Sequence, residues 1–311
     1  TGGLRYYEDD RADTELPTSL SALFLEFAGV PATREASFDT WQPKLNVSYR
    51  PNDETMVYFN AARGFRSGII QPGGVVALNG LNGYFPLLSI DEEPLWSYDV
   101  GAKGVLLGSR LSYDVAVYYI DWEDIQLFGA EPGVGIAFSF SGPDAEIYGI
   151  DWDVTYATTL DGLTLSTTGN INSAEYVGDG VYVDPNGRVG DSGVSDGDRI
   201  FNVPEYTFSA AADYIFDWAS LGGTGVANIE IQYNSKREDI ANNAEGDSNT
   251  FLNARFGLEK DSYSVYLFGT NLTNEDGSLF PVAAEQAALG SALTSRAQPR
   301  TIGINLAFNF Q

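Results

Sequence analysis

Apolar and polar residues alternate with a period of two along most of this chain. In the segment that ends the sequence, Ile302, Ile304, Leu306, Phe308 and Phe310 alternate with small or polar residues. A period of two is typical of a β-strand with one apolar face and one polar face. It predicts about twelve strands, within residues 2–9, 41–50, 55–66, 96–106, 111–119, 149–156, 163–172, 206–214, 228–234, 252–259, 263–272 and 301–310. The phase of 263–272 stays open, because both of its faces carry large residues.

The connections between these strands alternate between short and long. The short ones are 51–54, 108–110, 160–162, 217–224 and 261–262. Short helices are predicted within two of the long ones, at 19–27 and 283–289. Short turns at one end and long connections at the other are typical of a transmembrane barrel, whose short turns face the periplasm. The long connections are 14–37, 67–94, 127–145, 178–204, 236–249 and 274–298.

The polar faces carry charged residues, and no helical pattern is present that would cover either face of the sheet. About five apolar positions per strand, spaced about 6.7 Å apart and tilted by about 40°, give an apolar band about 25 Å tall. The prediction is an all-β fold, an antiparallel transmembrane β-barrel of the outer-membrane type. A soluble sandwich would need a second apolar sheet facing the first, and it leaves the alternating connections unexplained.

Composition narrows the chemistry. Cysteine and histidine are absent, which excludes thiolate chemistry, Ser-His-Asp triads and histidine metal ligands within this chain. A net charge of -26 excludes a nucleic-acid partner. No apolar run approaches the roughly 20 residues of a membrane helix. The chain has no signal segment and only Met56 as methionine, so we expect a processed or partial product.

Five segments of the sequence resemble a known family in order and spacing. They are "FDTWQPKLNVSYRPNDETMVYFNAARGFRSG" (38–68), "YDVGAKGVLLGSRLSYDVAVYYIDWEDIQL" (98–127), "AEIYGIDWDVTYATTLDGLTLSTTGNINSAEY" (145–176), "FGTNLTNED" (268–276) and "PRTIGINLAFNF" (299–310). The chain resembles the C-terminal half of the barrel of TonB-dependent outer-membrane receptors. One departure is Gln311, which follows Phe310 where the family usually ends on the aromatic residue.

The resemblance implies a 22-stranded barrel closed by an N-terminal plug, with residues 1–311 supplying twelve strands and neither plug nor TonB box. It implies the outer membrane of a Gram-negative bacterium, with the TonB complex, outer-membrane lipids and lipopolysaccharide as partners. It also implies active import of a small-molecule or metal-chelate substrate, most often a ferric siderophore, and no enzyme activity. Two alternatives are a self-contained twelve-stranded passive channel and a carbohydrate-importing receptor of the same family.

Charged residues on the predicted lumen face are candidates for contact with a substrate or with the plug. Their alternative role is ordinary lumen wall with mutual salt bridges. Arg63 and Arg66 lie at the outer end of a strand, where they would hold an anionic ferric chelate, lipopolysaccharide phosphates or acidic loops. The candidates are Arg63, Arg66, Asp99, Lys103, Asp151, Asp153 and Arg255.

Closely spaced aspartates and glycines occupy residues 178–199. Carboxylate oxygens in a flexible loop suit Ca²⁺, and the candidate ligands are Asp184, Asp191, Asp196 and Asp198. The spacing does not match an EF-hand, so the alternative is a solvated acidic loop. No other cofactor and no catalytic residue is predicted.

Aromatic residues fall into two groups. Those on the apolar face predict girdles at the membrane boundaries: Trp41, Tyr49, Trp96, Trp152, Tyr156, Phe308 and Phe310. Those in long connections would stack on a ligand or pack between loops: Tyr84, Phe85, Phe128, Phe138, Phe140 and Phe280.

Overall fold

A computed structural model of the chain describes residues 1–16, 18–83, 87–129, 137–184, 186–239, 244–280 and 295–308. In chain order its elements are β1 (Gly2–Thr14), α1 (Leu20–Ala28), β2 (Thr33–Tyr49), β3 (Thr55–Arg66), β4 (Ile69–Ile70), α2 (Gly73–Leu81), β5 (Ser89–Ile90), β6 (Glu93–Leu106), β7 (Leu111–Trp122), β8 (Gln126–Gly129), β9 (Phe138–Ser141), β10 (Asp144–Ala157), β11 (Leu163–Val177), β12 (Val181–Val183), β13 (Val189–Asp191), β14 (Tyr206–Trp218), β15 (Gly223–Asn234), β16 (Glu238–Asp239), β17 (Ala244–Glu245), β18 (Asn249–Lys260), β19 (Tyr263–Thr270) and β20 (Thr301–Phe308).

Twelve of these strands form one antiparallel sheet, which we call the wall. Each wall strand pairs with the next one along the chain, in the order β1, β2, β3, β6, β7, β10, β11, β14, β15, β18, β19 and β20. The twelve predicted strands are therefore confirmed. Among the described residues β1 and β20 do not pair with each other, so the wall is not closed into a twelve-stranded barrel.

Several wall strands extend further toward the long connections than the alternation predicts. The first pair continues without interruption from Gly2 opposite Leu45 to Thr14 opposite Thr33. The sequence placed a long connection over 14–37 because charged residues interrupt the apolar phase there. Here the face that is apolar elsewhere carries polar residues, while Phe38 on the other face is buried, so the period-two signal disappears although the strand continues.

Cross-strand pairing settles the faces of the wall, because directly opposed residues share a face. In β19, Val265 and Leu267 oppose Leu306 and Ile304 and therefore lie on the apolar face. Tyr266 and Phe268 oppose Asn305 and Gly303 on the polar face, which resolves the open phase of 263–272. In the described part of the chain no second sheet covers the apolar face, as a soluble sandwich would require.

Two helices lie in the long connections, and neither is long and apolar enough to cross a membrane within the described part of the chain. The predicted helix at 19–27 is confirmed as α1. The Ser19 hydroxyl caps its first turn by accepting the Ala22 N–H, and Gly29 ends it in the left-handed region. Helix α2 was missed because glycines weaken its helical signal. The helix predicted at 283–289 lies outside the described residues.

The buried apolar core lies at the end of the wall that carries the long connections. Ala145, Ala174 and Tyr176 on the polar face of β10 and β11 pack against Ile125, Val194 and Ile200 from two connections. Here β11 rises above β14, whose pairing begins with Tyr206 opposite Ile171. The free edge of β11 is instead paired by its own following connection, since Tyr176 N–H donates to Asp198 O at 2.8 Å and Ile200 N–H donates to Ala174 O at 2.9 Å.

Candidate ligand cavity and lumen wall

Three of the predicted lumen residues come together in one acidic depression of the wall. Asp99, Asp151 and Asp153 line a depression of about 610 Å³ on the polar face, together with Asp114. Lys103 joins this group through Asp114, with Nζ 3.9 Å from Oδ2. Sequence reasoning placed Asp114 on the polar face but did not select it, because its partners lie on neighbouring strands.

Hydrogen bonds across strands hold the acidic depression in place. The Tyr58 hydroxyl donates to Asp114 Oδ1 at 2.9 Å. The Asn170 amide donates to the Tyr118 hydroxyl and to Asp151 Oδ1, both at 2.7 Å. These contacts hold two of the four carboxylates, those of Asp114 and Asp151, in fixed positions on the polar face.

Arg255 does not belong to this depression. It lies on β18, and its guanidinium carbon is 4.6 Å from the centroid of the Tyr266 ring on β19. Four wall strands separate it from β7, so the structure does not join it to the other candidates. The cation–π contact holds Arg255 against β19, in a part of the wall separate from the acidic depression.

Arg63 and Arg66 were predicted to act together, but they have different partners. The Nη1 atom of Arg63 donates to Thr40 Oγ1 and to Trp41 O, both at 3.0 Å, so it is bound to β2. Arg66 instead pairs with Glu93 at the start of β6. Arg63 opposes Trp96 and so lies on the apolar face, not on the predicted lumen face, whereas Arg66 opposes Glu93 on the polar face. The two guanidiniums therefore do not form one shared site among the described residues.

Glu93 is the centre of a hydrogen-bond network at the end of the wall that carries the long connections. Its side chain is 0% exposed, and it pairs with Arg66 Nε and, at 2.7 Å, with Arg66 Nη2. It also accepts the Gln126 backbone N–H. The Gln126 side chain donates to Ser67 O at 3.1 Å and to Asp91 O at 3.2 Å, so the network links two long connections to the wall.

A cavity of about 400 Å³ adjoins this hydrogen-bond network, on the polar face and among the long connections. Arg66 lies at its edge, with its guanidinium carbon 6.0 Å from the Trp122 ring centroid. Most of the described lining is aromatic or aliphatic. The lining residues are Arg66, Trp122, Ile125, Gln126, Leu127, Phe128, Tyr176, Ser192, Val194, Arg199, Ile200, Phe201 and Asp239.

Sequence reasoning missed Glu93 and Trp122. Glu93 ends the acidic run 91–93 and resembles a solvated loop residue. The sequence did contain a sign of its position, because Glu93 and Asp99 are six positions apart and residues an even number of positions apart share a face of a strand. Trp122 opposes Leu95 and Ala145 on the polar face, beyond the strand predicted at 111–119.

Two of the loop aromatics pack between connections. Phe138 and Phe140 are fully buried against Tyr182 and Val75. Burial raises the pKa of the Tyr182 hydroxyl, and nearby Asp184 raises it further, so this side chain stays neutral. The Gln71 side chain reinforces the contact, because its amide donates to Ser139 O and accepts the Ser139 N–H at 3.1 Å.

The remaining loop aromatics differ from this pair. Phe128 lines the cavity and is 73% exposed. Phe280 lies under the guanidinium of Arg237, at 5.3 Å. Tyr84 and Phe85 lie outside the described residues.

The four aspartates proposed as Ca²⁺ ligands are not assembled into a site. Each accepts a backbone N–H, three of them from their own turn and Asp196 from Gly178, 18 residues earlier. Among the described residues no group of three or more acidic side chains is arranged to hold a metal ion. In these hydrogen bonds Asp184 accepts the N–H groups of Asn186 and Arg188, Asp191 that of Gly193, Asp196 that of Gly178, and Asp198 that of Ser195.

The predicted girdle residues lie on the apolar face, but at different heights. Trp41 packs on Tyr6 with ring centroids 4.8 Å apart, and Trp96 stacks on Tyr98 at 5.8 Å. Trp152 lies mid-strand, and its indole N–H donates to Thr167 Oγ1 at 3.2 Å; its place in a girdle stays a prediction. Tyr49, Tyr156 and Phe308 lie near the short-turn ends of their strands, and Phe310 lies outside the described residues.

Comparison with known families decides the assignment of this wall. A family model described as "TonB dependent receptor-like, beta-barrel" matches residues 1–272. The chain belongs to the TonB-dependent receptor family. Its twelve-stranded wall is thus part of an outer-membrane β-barrel, and the family is one of transport receptors.

Solved receptors share the fold of this receptor chain. The ferric yersiniabactin uptake receptor FyuA from Yersinia pestis has a TM-score of 0.70 and 15% identity, over 100% of this chain and 43% of that one. The siderophore receptor PiuA from Acinetobacter baumannii has a TM-score of 0.70 and 15% identity, over 98% and 40%. The copper transporter OprC has a TM-score of 0.66 and 14% identity, over 99% and 46%. This receptor chain thus spans about two-fifths of the length of the structures it matches.

Proposed function

We propose that this chain forms twelve wall strands and outer ligand-binding connections of a receptor that imports a ferric siderophore by the TonB-dependent route. The observation that carries the proposal is the cavity beside Arg66. It combines aromatic and aliphatic walls with guanidinium donors, on the lumen side of the wall and at the end of the long connections. A mainly apolar pocket with a few placed polar groups is the usual form of a small-molecule site.

The cavity chemistry favours a metal chelate over a glycan. An organic chelate presents apolar surface and a few oxygen acceptors, which match Trp122, Phe201 and the Arg66 donors. A glycan presents hydroxyl groups over its whole surface, and each would need a polar partner when buried. FyuA is a ferric yersiniabactin receptor and PiuA a siderophore receptor, which supports the same choice.

The remaining parts of the receptor belong to the same proposal. A plug that contacts the TonB complex, and further strands that pair with the free edges of β1 and β20, would complete a 22-stranded barrel. The exposed apolar face would contact the lipids and lipopolysaccharide of a Gram-negative outer membrane. This chain would serve as a transporter and not as an enzyme.

Uptake of radioactive iron tests the proposal. Deleting the gene should abolish uptake of at least one ferric siderophore in a panel of hydroxamates, catecholates and hydroxycarboxylates, and the wild-type gene should restore it. Phe201→Ala should weaken binding of that chelate by about tenfold, because an aromatic contact is worth about 1 to 2 kcal/mol. The matched control is Val117→Ala on the apolar face, which should bind as wild type. Unchanged uptake of every ferric chelate in the deletion strain would refute the proposal.

A further inference from the structure

The Arg66 guanidinium at the cavity edge is already neutralised within the protein. Glu93 is fully buried and binds Arg66 through both Nε and Nη2. Burial raises the pKa of the Glu93 carboxyl, whereas the Gln126 N–H and the Arg66 guanidinium lower it, so the ionised form depends on these two partners. Arg66 therefore offers hydrogen-bond donors to the cavity without a net positive charge.

The described wall of the cavity is neutral as a whole. It contains the guanidiniums of Arg66 and Arg199 and the carboxylate of Asp239. Glu93 stands behind Arg66 as a second carboxylate, so the formal charges cancel. Arg199 is partly engaged by neutral oxygens, since it donates to Asn172 Oδ1 at 2.9 Å and to Val203 O at 3.3 Å.

Below the cavity the wall is strongly negative. Trp122 lines the cavity, and Tyr118, four residues earlier in β7, lines the acidic depression. At about 3.3 Å per residue this is a separation of about 13 Å. The charged residues of the depression are all aspartates, with Lys103 as their nearest described partner. Screening has a length of about 10 Å at 0.1 M salt, so an anion that follows the wall is repelled.

From this charge distribution we infer that the cavity accepts an electrically neutral ferric chelate of the hydroxamate class in preference to a polyanionic chelate. The inference rests on the proposed function and adds a substrate class to it. Three hydroxamates balance the charge of Fe³⁺, and their oxygens remain acceptors for Arg66. Three catecholates leave three negative charges, and the described wall of the cavity has no net positive charge that would balance them. Glu93 acts as the positioning residue that sets this preference.

Two probes of opposite character test the inference on the purified, complete receptor in detergent. The probes are ferrichrome, a neutral ferric trihydroxamate, and ferric enterobactin, a trianionic tricatecholate. Binding is followed by quenching of tryptophan fluorescence at low and at high salt. Wild-type receptor should bind the neutral probe at least about tenfold more tightly, and the ratio should narrow at high salt, where repulsion is screened.

Variants at the Glu93–Arg66 pair separate charge from structure. Glu93→Gln leaves Arg66 uncompensated and should shift the affinity ratio toward the trianionic probe by about tenfold. Arg66→Gln should shift it the other way. The double variant Glu93→Gln with Arg66→Gln restores neutrality and should return the ratio to that of wild type, which a purely structural role for Glu93 would not do.

Each outcome has a defined meaning. Tighter binding of ferric enterobactin by wild type, or an unchanged ratio in Glu93→Gln, overturns the inference and leaves the proposed function intact. Failure of wild type to bind either probe overturns the inference, and the uptake panel then decides the proposed function separately. If Glu93→Gln does not fold, Arg66→Gln decides, since an equal loss for both probes contradicts the charge argument.

Discussion

The ring of Tyr58 lies over Gly101 on the neighbouring strand, in the space that a side chain at Gly101 would occupy. From there its hydroxyl reaches Asp114, one strand further along the wall. Gly101→Ala should displace Tyr58 and break this link, with a loss of about 1 to 3 kcal/mol in unfolding free energy. The matched control is Gly3→Ala, because a Cβ at Gly3 meets nothing within 4 Å. Equal urea stability of the two variants in detergent would contradict the prediction.

Two adjacent residues of β20 should respond oppositely to a positive charge. Ile304 lies on the apolar face and is 69% exposed, whereas Asn305 opposes Tyr266 on the polar face. Ile304→Arg should destabilise the folded receptor in lipid by about 2 to 4 kcal/mol, because the charge would face the bilayer near its middle. Asn305→Arg should fold nearly as wild type. Folding into lipid vesicles, read from heat-dependent gel mobility, measures both, and similar yields would refute the assignment of faces.

The hairpin of β8 and β9 offers a matched aromatic pair. Phe140 is 0% exposed and packs on Tyr182, whereas Phe128 is 73% exposed. Phe140→Ala should destabilise the packed connections by about 3 to 5 kcal/mol, because truncation leaves a cavity. Limited proteolysis should then cut within 137–143 while the wall stays intact. Phe128→Ala should leave the cleavage pattern unchanged, and cleavage of both variants alike would show that the hairpin is not held by Phe140.

Gln71 makes a paired contact that only an amide can make. Its nitrogen donates to Ser139 O and its oxygen accepts the Ser139 N–H. Gln71→Glu replaces the donor by an acceptor that faces a carbonyl, and it should cost about 1 to 3 kcal/mol locally because the site is buried. Hydrogen exchange of the Ser139 amide should accelerate accordingly. Gln42→Glu is the control, and an unaltered Ser139 amide in Gln71→Glu would contradict the prediction.

The wall could be predicted from sequence because a lipid-facing strand must alternate. The residues from Ile302 to Phe308 show this alternation directly, and neighbouring strands share its phase. The limits of the strands could not be predicted. Asp10 continues β1 beyond the predicted 2–9 on the face that carries Tyr6, so a charged residue there ends the alternation although the strand goes on.

The candidate site was predicted less completely, because its contacts join strands that are distant in sequence. The even spacing of Asp151 and Asp153 placed both on the polar face, but only the pairing of β7 with β10 brings Asp114 beside Asp153. Arg66 was selected for its charge, yet its behaviour depends on Glu93, which is 27 residues away. Such compensation leaves no local pattern in the sequence.

The upper edge of β11 has a consequence for how this receptor can change over evolution. Residues 197–200 pair with β11 itself, and β14 begins only afterwards. The hairpin of β12 and β13 between them is therefore an insert whose two ends are already joined. Residues can be added or removed at the tip of this hairpin, between Val183 and Val189, without a change in register between β11 and β14, because neither strand depends on the length of the insert. Surface variation can thus accumulate here while the barrel stays the same.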